Sequence, residues 1–231
     1  MSKIIGIIGA MDIEVDGIVS SMKKVKTKTV SGIKFYSGKL FKNDVVVAKC
    51  GIGKVFAAIC AQTMILEYNP SVIINSGVAG SLTSKLGVLD IAIANNVVQH
   101  DMDTSPLGDP KGLVSGINVI YFESNSKIVE TLVKSVNLQS CNYLCGTIAS
   151  GDKFMSATSE KKALNEEFNA IACEMEGGAV GHTCYVNNVP FGIIRAISDG
   201  EGAEMDYATF AKKAANQSIE IVKNFIKIYE V

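Results

Sequence analysis

The sequence predicts an α/β protein, a single three-layer α/β/α domain around a mixed sheet. Short apolar, β-branched runs of strand length, such as Lys3–Gly9, Ser71–Ser76, Ala170–Glu174 and Phe191–Ile197, alternate with helix-length segments. A hairpin pattern, Ile33–Leu40 and Val45–Cys50 around the turn-like Lys42-Asn43-Asp44, adds antiparallel strands to the sheet. No Pro-, Ser- or charge-rich linker interrupts the 231 residues, so residues 1–231 read as one domain.

In chain order, Lys3–Gly9 reads as a buried strand and Asp12–Met22 as a helix with Asp12, Glu14 and Asp16 near its start. Acids there are stabilised by the helix dipole, which is by itself a sufficient structural reason for Glu14. After the hairpin, Gly51-Ile52-Gly53 breaks the strand, and Val55–Tyr68 forms a nearly all-apolar helix that stops before Pro70. Ser71–Ser76 ends in Gly77-Val78-Ala79-Gly80-Ser81, whose small residues let a ligand approach the backbone. Val88–Val98 is a long strand leading into His100-Asp101-Met102-Asp103. Thr104–Gly116, with two prolines and three glycines, is an extended loop of the kind that forms lids or interfaces. Ser124–Val136 and Ser159–Phe168 are helices, Tyr143–Ser150 and Ala170–Glu174 strands, Gly177–Asn188 a helix, and Tyr207–Tyr229 a long amphipathic helix.

Hydrophobic residues make up 48% of the chain and charged ones 19%, enough apolar material for a large core, and the net charge is −1. Without a basic excess, nucleic-acid and anionic-membrane binding have little support. The six cysteines (Cys50, Cys60, Cys141, Cys145, Cys173, Cys184) contain no CxxC pair and read as reduced, buried thiols. With only His100 and His182 available, a four-ligand zinc site is hard to assemble. His100-Asp101-Met102-Asp103 has metal-ligating residue types, but reads better as a polar strand end, and His182 as a packing residue. No apolar run reaches the ~20 residues a membrane span needs, and Lys3–Gly9 lacks a signal-peptide pattern, so a cytoplasmic location is expected. Gly51-Ile52-Gly53-Lys54-Val55-Phe56 lacks the last glycine of a dinucleotide fingerprint, and no P-loop occurs.

Two stretches near the C-terminus concentrate chemistry: Cys173-Glu174-Met175-Glu176-Gly177-Gly178, and Phe191–Gly200, where a doubly buried strand runs out into Ser198-Asp199. An acid at such a strand end lies where open α/β sheets place ligands. Together with Ile8-Gly9-Ala10-Met11-Asp12-Ile13-Glu14, Gly51-Ile52-Gly53-Lys54-Val55, Asn75-Ser76-Gly77-Val78-Ala79-Gly80 and Ser150-Gly151-Asp152-Lys153-Phe154, these segments occur in the order found in a known family. The chain resembles the 5'-methylthioadenosine/S-adenosylhomocysteine nucleosidases of the nucleoside phosphorylase superfamily over almost its full length.

The resemblance implies a central twisted mixed sheet with barrel-like curvature, a homodimer, and hydrolysis of the N-ribosidic bond to adenine without metal or other cofactor. That reaction needs one protonated carboxyl to donate to the departing base and one ionised carboxylate to activate water, each contributing ~100- to 10,000-fold. Asp199 is expected to be the acid, its proton held by burial, with Ser198 orienting it. Glu14 matches the family's water-activating base, kept ionised by the helix dipole. The resemblance places Glu176 and Met175 at the ribose, Phe154 stacked on adenine, the Met155 backbone at the base edge, and Gly80 on the backbone stretch that approaches the ligand. Glu174 is expected to be structural. Arg195, the only arginine, matches a residue that orders the water and Glu14. None is then left to grip phosphate, which favours hydrolysis over phosphorolysis.

Two positions depart from the family pattern. Val78 stands where well-known members carry a serine near the water, and the loop Thr104–Pro110 is less aromatic than in some of them. In the family that loop reaches the 5'-substituent pocket of a second subunit. The competing readings are a phosphorylase, a hydrolase of another 5'-modified nucleoside, and a non-catalytic nucleoside-binding protein.

Overall fold

The computed structural model describes residues 3–199 and 206–230, and for 206–209 the backbone alone. Gly200, at the end of the second chemical stretch, and the side chain of Tyr207 lie outside the described residues. The strands are β1 (Ile4–Gly9), β2 (Lys23–Val30), β3 (Ile33–Leu40), β4 (Asn43–Lys49), β5 (Val72–Ser81), β6 (Ile91–Gln99), β7 (Tyr121–Glu123), β8 (Tyr143–Ser150), β9 (Ala170–Glu174) and β10 (Phe191–Asp199). The α-helices are α1 (Asp12–Val19), α2 (Lys54–Tyr68), α3 (Ser126–Asn137), α4 (Thr158–Phe168), α5 (Gly177–Val186) and α6 (Asp206–Ile228).

The strands form one mixed sheet in the order β10-β6-β8-β9-β5-β1-β4-β3-β2, with β7 on β6. A further pairing of β10 with β5 closes β5, β9, β8, β6 and β10 into a ring. This is the barrel-like curvature expected of the sheet, and it brings the C-terminal ends of β5, β9 and β10 together. The long strand β5 makes closure possible: Val72–Asn75 pair with β1, whereas Gly80 and Ser81 pair antiparallel with β9.

Strict alternation divides the core between two faces. Ile8 and Ile73 face one apolar cluster with Ala57, Met64 and Val180 of α2 and α5. Ile5, Ile7, Val72 and Ile74 face the other, with Ile18, Leu132 and Phe225 of α1, α3 and α6. The three layers therefore follow directly from period-two strands with both faces apolar.

Several boundaries differ from the sequence reading, among them the start of β6 at Ile91 instead of Val88. Helix α1 stops at Val19 instead of Met22, where the Ser20 and Ser21 hydroxyls donate to Gly17 O. β2 adds an edge strand in a segment where none was delimited, and its exposed Lys-rich side discourages further pairing. β5 continues through Gly77–Ser81, because pairing with β9 and β10 satisfies its backbone. The three-residue β7 was not anticipated.

Candidate active site

The C-terminal ends of β5, β9 and β10, the start of α1 and the segment after β8 enclose a cleft with about 610 Å³ of empty space, open on one side. Glu14, Gly80, Phe154, Met155, Met175, Glu176, Ser198 and Asp199 all line it.

Glu14 occupies the third position of α1, so its side chain folds back over the helix start. Its Oε2 accepts from the Ala10 and Met11 amides at 2.6 and 2.9 Å, and its Oε1 from the Val78 amide at 3.2 Å. Burial nevertheless dominates and raises its pKa, against the Arg195 charge and these three amides. The amides at the start of α1 favour the ionised form, as expected of a helix terminus, but burial outweighs them. Val78 supplies a backbone donor to Glu14 where the family pattern has a serine.

Asp199 reaches the cleft through an irregularity of register in β10 between Ile197 and Asp199. In a regular strand Ser198 and Asp199 would face opposite ways; here both line the cleft. Ser198 Oγ donates to Asp199 Oδ1 at 3.0 Å, as expected of an orienting residue. The other oxygen, Oδ2, accepts from Lys161 Nζ at 2.5 Å in an ion pair whose side chains are 3% and 7% exposed. Asp199 is thus one half of a buried ion pair with Lys161, a partner the sequence reading did not anticipate.

Both carboxyl groups lie against glycines of β5. A Cβ at Gly77 would stand 2.6 Å from Glu14 Oε1, and one at Gly80 would stand 3.0 Å from Asp199 Oδ2. Two residues, Val78 and Ala79, separate these glycines on β5, and both carboxyls line the cleft.

Glu176, at the start of α5, accepts from the Gly53 amide at 2.9 Å. Burial, followed by the Glu174 charge, pushes its carboxyl up to about 7. Met175 is half-buried beside it, and Phe154 is 53% exposed on the cleft wall.

Arg195 stands behind the cleft wall, its Nη1 3.2 Å from where a Gly77 Cβ would stand, the position that also faces Glu14 Oε1. It shares a β10 face with Ile193 and Ile197, is 1% exposed and does not line the cleft. Its Nη2 donates to Asn75 Oδ1 at 2.5 Å and to Glu174 Oε2. Its charge still reaches Glu14 and Glu176 and lowers the pKa of each. Glu174, which also borders the cleft, accepts from Ser150 Oγ and from the Glu176 and Gly177 amides. Burial opposes its ionisation, but Arg195 and these donors hold it below the usual carboxylate range. The structural role expected of Glu174 fits these partners.

Lys161 escaped the sequence reading because a lysine in Glu160-Lys161-Lys162 reads as solvated. A signal was present: Lys161, Leu164 and Phe168 recur at helical spacing and are the buried residues of α4. Asp101 bonds Lys54 Nζ at 2.5 Å and the Asp152 amide at 2.9 Å, and His182 stacks on Phe122. Among the described residues no cluster of three or more His, Cys, Asp or Glu is arranged to hold a metal ion.

The cleft, with two carboxyl side chains against the glycines of β5, sits on a ring-closed α/β sheet, and the phosphorylase superfamily model matches residues 4–227. The chain belongs to that superfamily. Within it, the chain is 38% identical over 226 residues to the 5'-methylthioadenosine/S-adenosylhomocysteine nucleosidase of Staphylococcus aureus, covering 96% of this chain and 98% of that one. It belongs to the 5'-methylthioadenosine/S-adenosylhomocysteine nucleosidase family. The Neisseria meningitidis nucleosidase solved with methylthio-immucillin-A is 32% identical, with a TM-score of 0.94 over 98% of this chain and 100% of that one. The futalosine hydrolase of Helicobacter pylori is 33% identical, with a TM-score of 0.94 over 99% of each chain.

Proposed function

We propose that the protein hydrolyses the N-ribosidic bond of 5'-methylthioadenosine and S-adenosylhomocysteine, releasing adenine. The observation that carries this reading is that Glu14 and Asp199 both line one cleft, each against a glycine of β5. Adenine stacks on Phe154 and is read at its edge by the Met155 backbone, with Asp199 at N7. The ribose lies over Met175, its hydroxyls on Glu176, and the backbone around Gly80 approaches the ligand closely. Glu14 takes a proton from water as the water attacks the anomeric carbon; the C–N electron pair moves onto the base, which receives a proton from Asp199. Burial makes Glu14 a better proton acceptor, which suits a base working near neutral pH. The acidic lining favours the cationic sugar of the transition state.

Hydrolysis is preferred to phosphorolysis because the one arginine is bound to Glu174 and Asn75 away from the cleft surface. The reading needs no metal or other cofactor. A second reading, hydrolysis of another 5'-modified nucleoside, is favoured by the likeness to the futalosine hydrolase. Measuring base release from methylthioadenosine, S-adenosylhomocysteine and nucleosides with bulkier 5'-groups decides between them. Adenine release from the first two supports the main reading; release from the bulkier substrates alone overturns it.

We further infer a homodimer. Ile52, Val55, Phe56, Ile59 and Leu66, before and along α2, are exposed, as are Tyr185 and Val186 on the neighbouring α5. An apolar face of this kind suits a second copy of the chain. Sedimentation reporting a monomer at micromolar concentration would contradict it. A cytoplasmic location is inferred from six unpaired cysteines, four of them buried.

A further inference from the structure

The acid proposed above needs a proton to give, yet both oxygens of Asp199 already act as acceptors, from Ser198 and from Lys161. Lys161 is the one fully buried lysine among the described residues. Its ammonium sits against the glycine floor beside Asp199, 3.3 Å from where a Gly80 Cβ would stand. Burying an ammonium is costly, and such a group is retained where it is paired.

We propose that Lys161 stores the proton for the leaving base and acts through Asp199 as a positioning residue. The inference rests on the nucleosidase reading. As the C–N bond breaks and its electron pair moves onto the base, one N–H bond of Lys161 breaks and Asp199 accepts that proton. Asp199 delivers a proton to the base nitrogen, so the pair ends as a neutral amine and a carboxylate. Meanwhile Glu14 gains the proton that water loses. Exchange with solvent then returns Glu14 to carboxylate and Lys161 to ammonium, and the net reaction consumes one water.

Among the described residues, the titratable groups around the pair are accounted for. From β9, Cys173 faces both partners, its thiol pushed up to about 12 by burial, and Glu174 is neutralised by Arg195 of β10. β5 contains no titratable residue, and those of β8, Tyr143 and Cys145, lie near the opposite end of that strand from Ser150. On α4, Glu160 is bound to Lys153 and Lys162 to Glu166, both at the surface.

The test is the pH dependence of kcat and kcat/KM for methylthioadenosine hydrolysis by the wild type, K161R and K161M. Arginine keeps the positive charge but does not release a proton at working pH. K161R is expected to keep KM within a few-fold and to lose roughly 100-fold or more of kcat at pH 8. K161M should show the same loss of kcat, and in both variants activity should rise as pH falls, since the proton must then come from solvent. A K161R profile that superimposes on the wild type in kcat and shape overturns the proposal and leaves Lys161 as a brace. If K161M does not fold, K161R decides alone. Absence of turnover in the wild type would instead sink the nucleosidase reading itself.

Discussion

Replacing Glu176 by glutamine removes a buried acid whose pKa stands at about 7 in the folded protein, against an ordinary 4.5. Because the folded-state value is the higher one, the folded protein binds this proton more tightly than the unfolded chain. The associated stability is fully present below pH 4.5 and is lost as pH rises through 7. A shift of this size corresponds to about 3 kcal/mol across that window. Glutamine preserves the shape and an oxygen for the Gly53 amide, and has no proton to lose. Thermal unfolding of both proteins at pH 5 and pH 8 reads the difference. Between pH 5 and pH 8 about 2.5 kcal/mol of this stability is lost, and at about 2–4 °C per kcal/mol for a chain of this size the wild type should lose roughly 5–10 °C more than E176Q. Parallel Tm-against-pH curves would refute the claim that burial and the neighbouring Glu174 charge penalise ionised Glu176.

Three further changes probe the site. D199N should lower kcat by ~100- to 10,000-fold with a much smaller change in KM, measured by steady-state adenine release. R195M leaves Glu174 buried without its cation and should cost about 3–5 kcal/mol in urea unfolding, even though the side chain lies outside the cleft. F154A removes the exposed aromatic surface and should weaken substrate binding by about 1–3 kcal/mol, a 5- to 150-fold rise in Kd by titration, with fold stability nearly unchanged.

The buried strands were legible because their residues are apolar on both faces: β8 and β9 begin and end where the runs do. β2 was not, since Lys23–Val30 is nearly all exposed and is a strand only because β3 lies beside it. Gly77–Ser81 looked like loop, for glycine weakens a strand locally; its conformation is set by pairing from β9 and β10, which local sequence does not display. The carboxylates at the α1 start and the β10 end were readable from their positions. The facing of Arg195 and Asp199 was not, because it depends on strand parity and on the irregularity at Ser198. Lys161 was hidden by its residue type, although its spacing with Leu164 and Phe168 marked the buried stripe.

The central claim is that water, activated by Glu14, is the nucleophile in a cleft that offers no arginine to phosphate. Adenine release from methylthioadenosine, followed in parallel with and without inorganic phosphate, tests it most directly. Equal rates, with free methylthioribose as the sugar product in both, are predicted. A rate that requires phosphate and yields the sugar 1-phosphate would contradict it.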